Sequence, residues 1–235
     1  PKERRIRPIH IWQSAAAILF LLLASSVYLS TVGTKAETDL LQQYIPIAEM
    51  RSLTLPDGTK VQLNSKSTLL YPHEFTGDSR SVFLLGEANF KVKPDKKRPF
   101  IVKSNDLQIT ALGTEFNVSA YPESQEIATT LISGSIRVDY NNLTTSVILH
   151  PNEQFAYNRN NKKYDLSNPD MDDVTAWQRG ELVLQKMTLT DIINVLERKY
   201  PYAFVYSIKN LKNDRFSFRF KDNAPLEEVM EIIVN

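Results

Sequence analysis

Side chains able to do acid–base, nucleophilic or metal chemistry are few in this sequence, and their spacing argues against a reaction. The histidines are His10, His73 and His150. None stands at a distance along the chain from another histidine or a carboxylate that would gather the several ligands a metal needs. Pro72-His73 and His150-Pro151 are turn contexts. The chain has no cysteine, which excludes disulfides, thiolate metal sites and cysteine nucleophiles. No serine occupies a G-x-S-x-G elbow, and Ser133-Gly134-Ser135 reads as a turn between two alternating runs. Glu87 and Glu115 each sit beside an aromatic-containing strand, where a glycosidase would need two carboxylates at a set separation. They read here as rim carboxylates. Lys91, Lys93, Lys96, Lys97 and Arg98 form a basic run whose alternation with Val92 puts its first members on a solvated strand face. Contact with an anionic partner is its secondary reading. With 7 glycines in 235 residues there is no glycine-rich phosphate loop, and a net charge of +1 favours no nucleic acid. The expectation is a binding or signalling protein and not an enzyme, with no cofactor and no metal.

The elements that would carry these residues fall into two patterns. From Arg51 the apolar residues alternate. Leu53 and Leu55, then Val61 and Leu63, flank Pro56-Asp57-Gly58-Thr59, where Asp-Gly suits a tight hairpin turn with positive φ at both central positions. Further strands are read at 82–85, 88–92, 100–102, 107–112, 116–120, 127–131, 136–138, 147–149 and 155–157. Many short strands with turns between them indicate an antiparallel sandwich, a roll or a solenoid-like β fold, and periodicity does not choose among these. Residues 51–166 form this mainly β domain, and a polar linker follows at 167–175.

After Trp177 the period changes. Residues 181–185 read as a strand, and Leu189, Ile192, Ile193, Leu196 and Tyr200 make one helical stripe. Thr188 or Thr190 caps that helix and Pro201 ends it. Strands at 203–206 and 215–220 follow, and Pro225 opens a second helix. The order β-α-β-β-α over 176–235 is a small α+β domain that looks truncated.

Ahead of the β domain, Ile11 to Val32 carries no charged residue, the length of a transmembrane helix. Lys2, Arg4, Arg5 and Arg7 precede it, so the positive-inside bias puts residues 1–10 in the cytoplasm as a short stub. Everything after Val32 then lies outside the cytoplasm, in the periplasm of a bacterium, with the lipid bilayer as a partner. A cleaved signal peptide is the competing reading and gives the same compartment. Residues 33–50 read as a tether, with a short helix around Thr38 to Tyr44.

Laid end to end, these segments resemble the FecR family of transmembrane anti-sigma regulators. The matching runs are LTLPDGTKVQLNSKSTLLYP from Leu53, RSVFLLGEANFKV from Arg80, PFIVKSNDLQITALGTEFNVSAY from Pro99, TTLISGSIRV from Thr129 and LHPNEQFAY from Leu149. The stretch from Trp177, through LTDIINVLERKY and FRFKDNAPLEEVMEII, is similar to the companion domain of that family, itself like the short N-terminal domains of secretins and TonB-dependent transducers. The resemblance implies a relay. An outer-membrane TonB-dependent receptor senses a nutrient such as an iron chelate or glycan, and its signalling domain contacts the exported region. An extracytoplasmic-function sigma factor is held through a cytoplasmic domain, for which ten residues are too few and which this chain therefore lacks. The contact with the receptor is expected at a strand edge such as 215–220. The alternative is a membrane-anchored carbohydrate- or envelope-binding structural module with no receptor partner.

The resemblance also singles out one bond. Some members of the family break at a Gly-Thr bond within L-G-T-x-F, and here that motif is Leu112-Gly113-Thr114-Glu115-Phe116. A threonine hydroxyl can attack the preceding carbonyl, moving the acyl group from nitrogen to oxygen, and water then cuts the ester. Glycine relieves crowding at the attacked residue, but the hydroxyl needs a base that the sequence does not identify. The competing reading makes Gly113 a turn or bulge between two strands.

Overall fold

The computed structural model describes residues 8–32, 39–206, 214–221 and 224–234. The chain divides after Asp39 into two compact units. The first contains helix α1, Pro8–Val32. Proline opens it, at the position where a missing N–H costs nothing. The side chains described within it, 16–28, are all exposed, including Leu21, Leu22 and Leu23. Among the described residues no helix is long and apolar enough to cross a membrane.

The second unit holds a 13-stranded curled sheet and a smaller α+β part. The strands are β1 Leu40–Tyr44, β2 Arg51–Thr54, β3 Lys60–Leu63, β4 Thr68–Pro72, β5 Arg80–Lys91, β6 Phe100–Lys103, β7 Gln108–Ala111, β8 Glu115–Ala120, β9 Glu126–Ser133, β10 Ile136–Tyr140, β11 Thr145–Leu149, β12 Gln154–Asn158 and β13 Tyr164–Ser167. They form two layers that share β5. One runs β1-β4-β5-β6-β7-β10-β11, and the other runs β2-β3-β5-β8-β9-β12-β13. Every pairing is antiparallel except β5 with β6. This order selects the layered, rolled arrangement over the solenoid alternative.

β5 changes layer at its middle. Residues 80–85 pair with β6 and β4, while 86–91 pair with β8 and 88–91 with β3. Gly86 is the turning point, at φ +102°, and a Cβ there would lie 2.7 Å from the Cα of Ser67. Only glycine fits this close approach. Alternation then closes the core. Val82, Leu84, Ala88 and Phe90 of β5 are buried with Phe100, Phe116, Val118, Leu131 and Phe155. Aromatic rings bridge the layers, Phe90 to Phe100 at 5.9 Å and Tyr140 to Phe155 at 5.3 Å.

The smaller part begins with α2, Met171–Thr175, capped by Asp170, and a 3-10 turn over Ala176–Arg179. Strand β14, Leu182–Thr188, pairs with β15, Arg215–Phe220, and helices α3, Leu189–Lys199, and α4, Leu226–Val234, cover one face. Leu182, Leu184, Ile192, Leu196, Phe220 and Val229 form its core. Thr188 is the α3 cap, accepting from the Asp191 N–H while its hydroxyl donates to the Asp191 carboxylate at 2.6 Å.

Several expectations are corrected. Residues 40–44 form strand β1, paired with β4, and not a helix in a tether. Backbone pairing to a sheet edge outweighs weak helical propensity there. No alternation announces β4, where Leu69, Leu70 and Tyr71 run on, or β13, which lies in a polar stretch. The expected strand at 203–206 does not form. Phe204 packs into the small core, and its N–H bonds to Glu197 Oε1 at 3.1 Å. In the Asp57-Gly58 turn only Gly58 has positive φ, because Asp57 accepts from the Thr59 N–H at 2.9 Å instead.

Candidate functional site

A set of polar groups connects the β layers to the smaller part where the two meet. It starts at the bend in β5. Just past Gly86, the Glu87 carboxylate accepts from Asn64 Nδ2 at 2.8 Å and from Asn117 Nδ2 at 3.0 Å, one bond to each oxygen. Asn117 is buried on β8, and its Oδ1 accepts from Trp177 Nε1 at 3.3 Å. The amide of Asn117 thus joins the carboxylate in the β layers to an indole in the 3-10 turn. The Glu87 backbone is also fixed, since its N–H donates to Ser67 Oγ at 2.8 Å. Burial pushes the Glu87 carboxyl above the usual carboxylate range, against the opposing pull of Asn117, Asn64 and the Arg198 charge.

Arg198, in the last turn of α3, makes the second connection. Its guanidinium lies 3.8 Å from the centroid of the Tyr121 ring and donates to Glu123 Oε1 at 2.7 Å. Its backbone carbonyl is one of the four that a helix leaves unpaired at its C-terminus. Here it accepts from the N–H of Ala48, on the segment between β1 and β2, at 3.0 Å. Tyr121 is buried, and its hydroxyl donates to the Ser65 carbonyl at 2.9 Å. Burial first, and the nearby Glu87 charge second, hold that hydroxyl in its protonated, donating form. A cleft of about 1470 Å³ opens between these groups, lined by residues that include Asn64, Glu87, Asn117, Gln178 and Arg198. The Gln178 Nε2 in its wall is buried with no partner among the described residues.

This arrangement couples two parts of the chain. Both Glu87 oxygens are held by amides, so the carboxylate is positioned as a tie. Sequence reasoning placed Glu87 on the rim and left Asn64, Asn117, Tyr121 and Arg198 unnoticed. The only signal was Glu87 directly after a glycine within a strand run.

The bond singled out in the sequence lies elsewhere. Gly113 and Thr114 link β7 in one layer to β8 in the other. Gly113 has φ +148°, and a Cβ would lie 2.8 Å from the Cα of Pro94. The flanking backbone is clamped, with Val92 N–H on the Thr114 carbonyl and Asp95 N–H on the Leu112 carbonyl, both at 2.9 Å. Thr114 is 7% exposed, and its hydroxyl has no partner among the described residues. Glu115, next along the chain, pairs with Lys91 at 3.4 Å. His150 bonds to Glu153 at 3.3 Å. In the basic run, Asp95 accepts from the Lys97 and Arg98 backbones, which makes 95–98 the expected turn.

The comparisons agree with this division of the chain. Residues 45–137 match the family model described as FecR protein, and residues 181–235 match FecR, C-terminal. Two crystal structures of a candidate anti-sigma factor from Parabacteroides distasonis ATCC 8503 are similar over most of the chain. The structure at 2.50 Å has a TM-score of 0.78 at 35% identity, covering 83% of this chain and 90% of that one. The structure at 1.65 Å has a TM-score of 0.77 at 35% identity, covering 82% and 90%. No curated protein matches the chain. With both family models met in chain order and a solved relative covering most of its length, the chain belongs to the FecR family of anti-sigma regulators.

Proposed function

We propose that this protein is the sensing and relay part of a FecR-like anti-sigma factor, working outside the cytoplasm, and that it is not an enzyme. In this reading α1 anchors it in the inner membrane with the N-terminus in the cytoplasm. A signal passes from the signalling domain of an outer-membrane TonB-dependent receptor to a cytoplasmic extracytoplasmic-function sigma factor. The uncharged run from Ile11 to Val32, with cations on its N-terminal side, supports the anchor and its orientation. Reporter fusions placed after Gly33 should be active only outside the cytoplasm, and activity inside would reverse the topology.

The observation that carries the relay is the junction at Arg198. It ties the C-terminal part, where a partner has a sheet edge to use, to the segment that follows β1. β15 pairs with β14 on one side, and its other edge is unpaired among the described residues. Such an edge accepts a further strand through main-chain hydrogen bonds. The full chain in detergent should capture the receptor's N-terminal signalling domain, and a variant ending at Asp173 should not. Undiminished capture by the shortened variant would rule out the C-terminal part as the receptor contact.

A further inference from the structure

The contacts around Arg198 close into a ring. The Ala48 N–H donates to the Arg198 carbonyl at 3.0 Å. The Arg198 guanidinium lies 3.8 Å from the Tyr121 ring centroid. The Tyr121 hydroxyl donates to the Ser65 carbonyl at 2.9 Å, and the Ser65 hydroxyl donates to the Glu49 carbonyl at 2.8 Å. Glu49 is bonded to Ala48, so the path returns to its start. Four stretches meet in this ring: the segment after β1, the β3–β4 turn, the end of β8 and the last turn of α3.

Two further features make the ring a holding device. Ala48 has φ +61°, a left-handed conformation that a residue with a Cβ adopts only when its surroundings hold it there. The bond from its N–H to α3 is one of those holds. β1 itself is weakly secured. It is an edge strand, and none of its five side chains is buried, in a pattern that alternates between exposed and partly buried. Its attachment is the backbone ladder to β4 and the anchoring of the residues that follow. Ile45 supplies that anchor, buried and with its N–H on the Ser67 carbonyl at 2.9 Å.

We propose that the ring Ala48–Arg198–Tyr121–Ser65–Glu49 is a latch through which docking of α3 on the β layers holds edge strand β1 in place. When α3 moves away, Ala48 loses its acceptor and relaxes from the left-handed region. The 45–50 segment loosens, and β1 frays from β4. β1 begins eight residues after α1 ends at Val32, so its release would free the strand of the sheet that stands nearest α1 along the sequence. The latch stands on contacts within the folded unit, and only its biological use rests on the relay reading.

Hydrogen exchange of the full chain in detergent tests this, comparing the wild type with Arg198→Ala and Tyr121→Phe. Tyr121→Phe keeps the ring that Arg198 stacks on and removes only the hydroxyl bond, so it guards against a variant that fails to fold. The loss of a net hydrogen bond or an equivalent contact predicts β1 amides exchanging roughly fivefold faster or more in Arg198→Ala. Tyr121→Phe should shift them less, in the same direction. Amides of β8 and β9 should be unchanged in both. Unchanged β1 exchange in both variants would overturn the latch, as would equal acceleration of β8 and β9, which signals general loosening. Loss of receptor capture with β1 coupling intact would sink the relay reading and leave the latch standing.

Discussion

Arg80 and Arg198 each pair with a carboxylate and each lie against an aromatic ring, Phe100 at 5.6 Å and Tyr121 at 3.8 Å. Their settings differ. Arg80 is 1% exposed, and all its bonds stay within the β layers: to Asp57 at 2.7 Å, the Lys93 carbonyl at 2.8 Å and the Arg98 carbonyl at 2.9 Å. The Arg198 side chain is 11% exposed and reaches from α3 to Glu123, itself 40% exposed. A charge sealed among backbone carbonyls cannot leave without unfolding what surrounds it. A charge at the edge of a cleft, paired with a solvated carboxylate, can separate and be rehydrated at little cost. The same side-chain chemistry thus makes a fixed pin in one place and a releasable contact in the other.

The strongest way to break this comparison is to remove the Arg80 partner. Asp57→Ala should destabilise the protein by about 3–5 kcal/mol, because it strands a buried guanidinium. It also loses the bonds from Asp57 to the Thr59 N–H and hydroxyl. Urea unfolding of the β layers measures this. Glu123→Ala removes the corresponding partner of Arg198 and should cost no more than about 1 kcal/mol. Equal losses from the two substitutions would show that the junction is as permanent as the pin.

A finer test lies in Glu87, which sits on the releasable side. Its pKa is raised on folding, above an ordinary value of 4.5, with burial the main cause. The folded state therefore binds a proton that the unfolded state has released. Its stabilising contribution is full below the ordinary carboxylate range and is lost as pH rises through the folded value. Thermal melts should show stability from this group falling as pH climbs from about 4.5, and Glu87→Gln should flatten that dependence. A slope unchanged in the glutamine variant would assign the pH dependence to another group.

The pin and the junction also differ in how far the sequence revealed them. The core of the β layers was legible because Val82, Leu84, Ala88 and Phe90 alternate as a half-buried strand must. The α3 stripe was legible because Ile192 and Leu196 repeat at helical spacing. Asp57 was visible only as a turn residue, since its partner Arg80 lies 23 positions away. The junction was invisible. Arg198 and Glu123 are 75 residues apart, and each reads alone as an ordinary surface charge. β1 was misread because its edge pairing with β4 is a long-range fact that five mixed residues do not announce. Periodicity reports which face a residue turns to its core, and it carries no record of which distant chain meets that face.

Thr114 is a third buried polar group, and it belongs to neither class. Arg80 is satisfied through most of its donors, and Arg198 is satisfied across a junction, but the Thr114 hydroxyl is buried without a partner among the described residues. An unpaired buried hydroxyl costs stability, so Thr114→Val should be neutral or stabilising by up to about 1 kcal/mol. Its methyl packs closely on Gly134, and the unpaired hydroxyl leaves the scission at Gly113-Thr114 open to test. The reaction would be attack of Thr114 Oγ on the Gly113 carbonyl carbon, with its proton passing to the amide nitrogen as the C–N bond breaks. Water then hydrolyses the ester to a Gly113 carboxylate and a free Thr114 amine. The Asp95 and Val92 amides clamp the carbonyls on either side of Gly113, with Pro94 close against it, although no base bonds to the hydroxyl among the described residues. Mass spectrometry of the full chain should show scission between Gly113 and Thr114 in the wild type and in Thr114→Ser. It should show none in Thr114→Val or Thr114→Ala. Equal cutting in the alanine variant would assign the break to an external protease. An intact wild type would leave Gly113 as the close-packed crossing from β7 to β8 and nothing more.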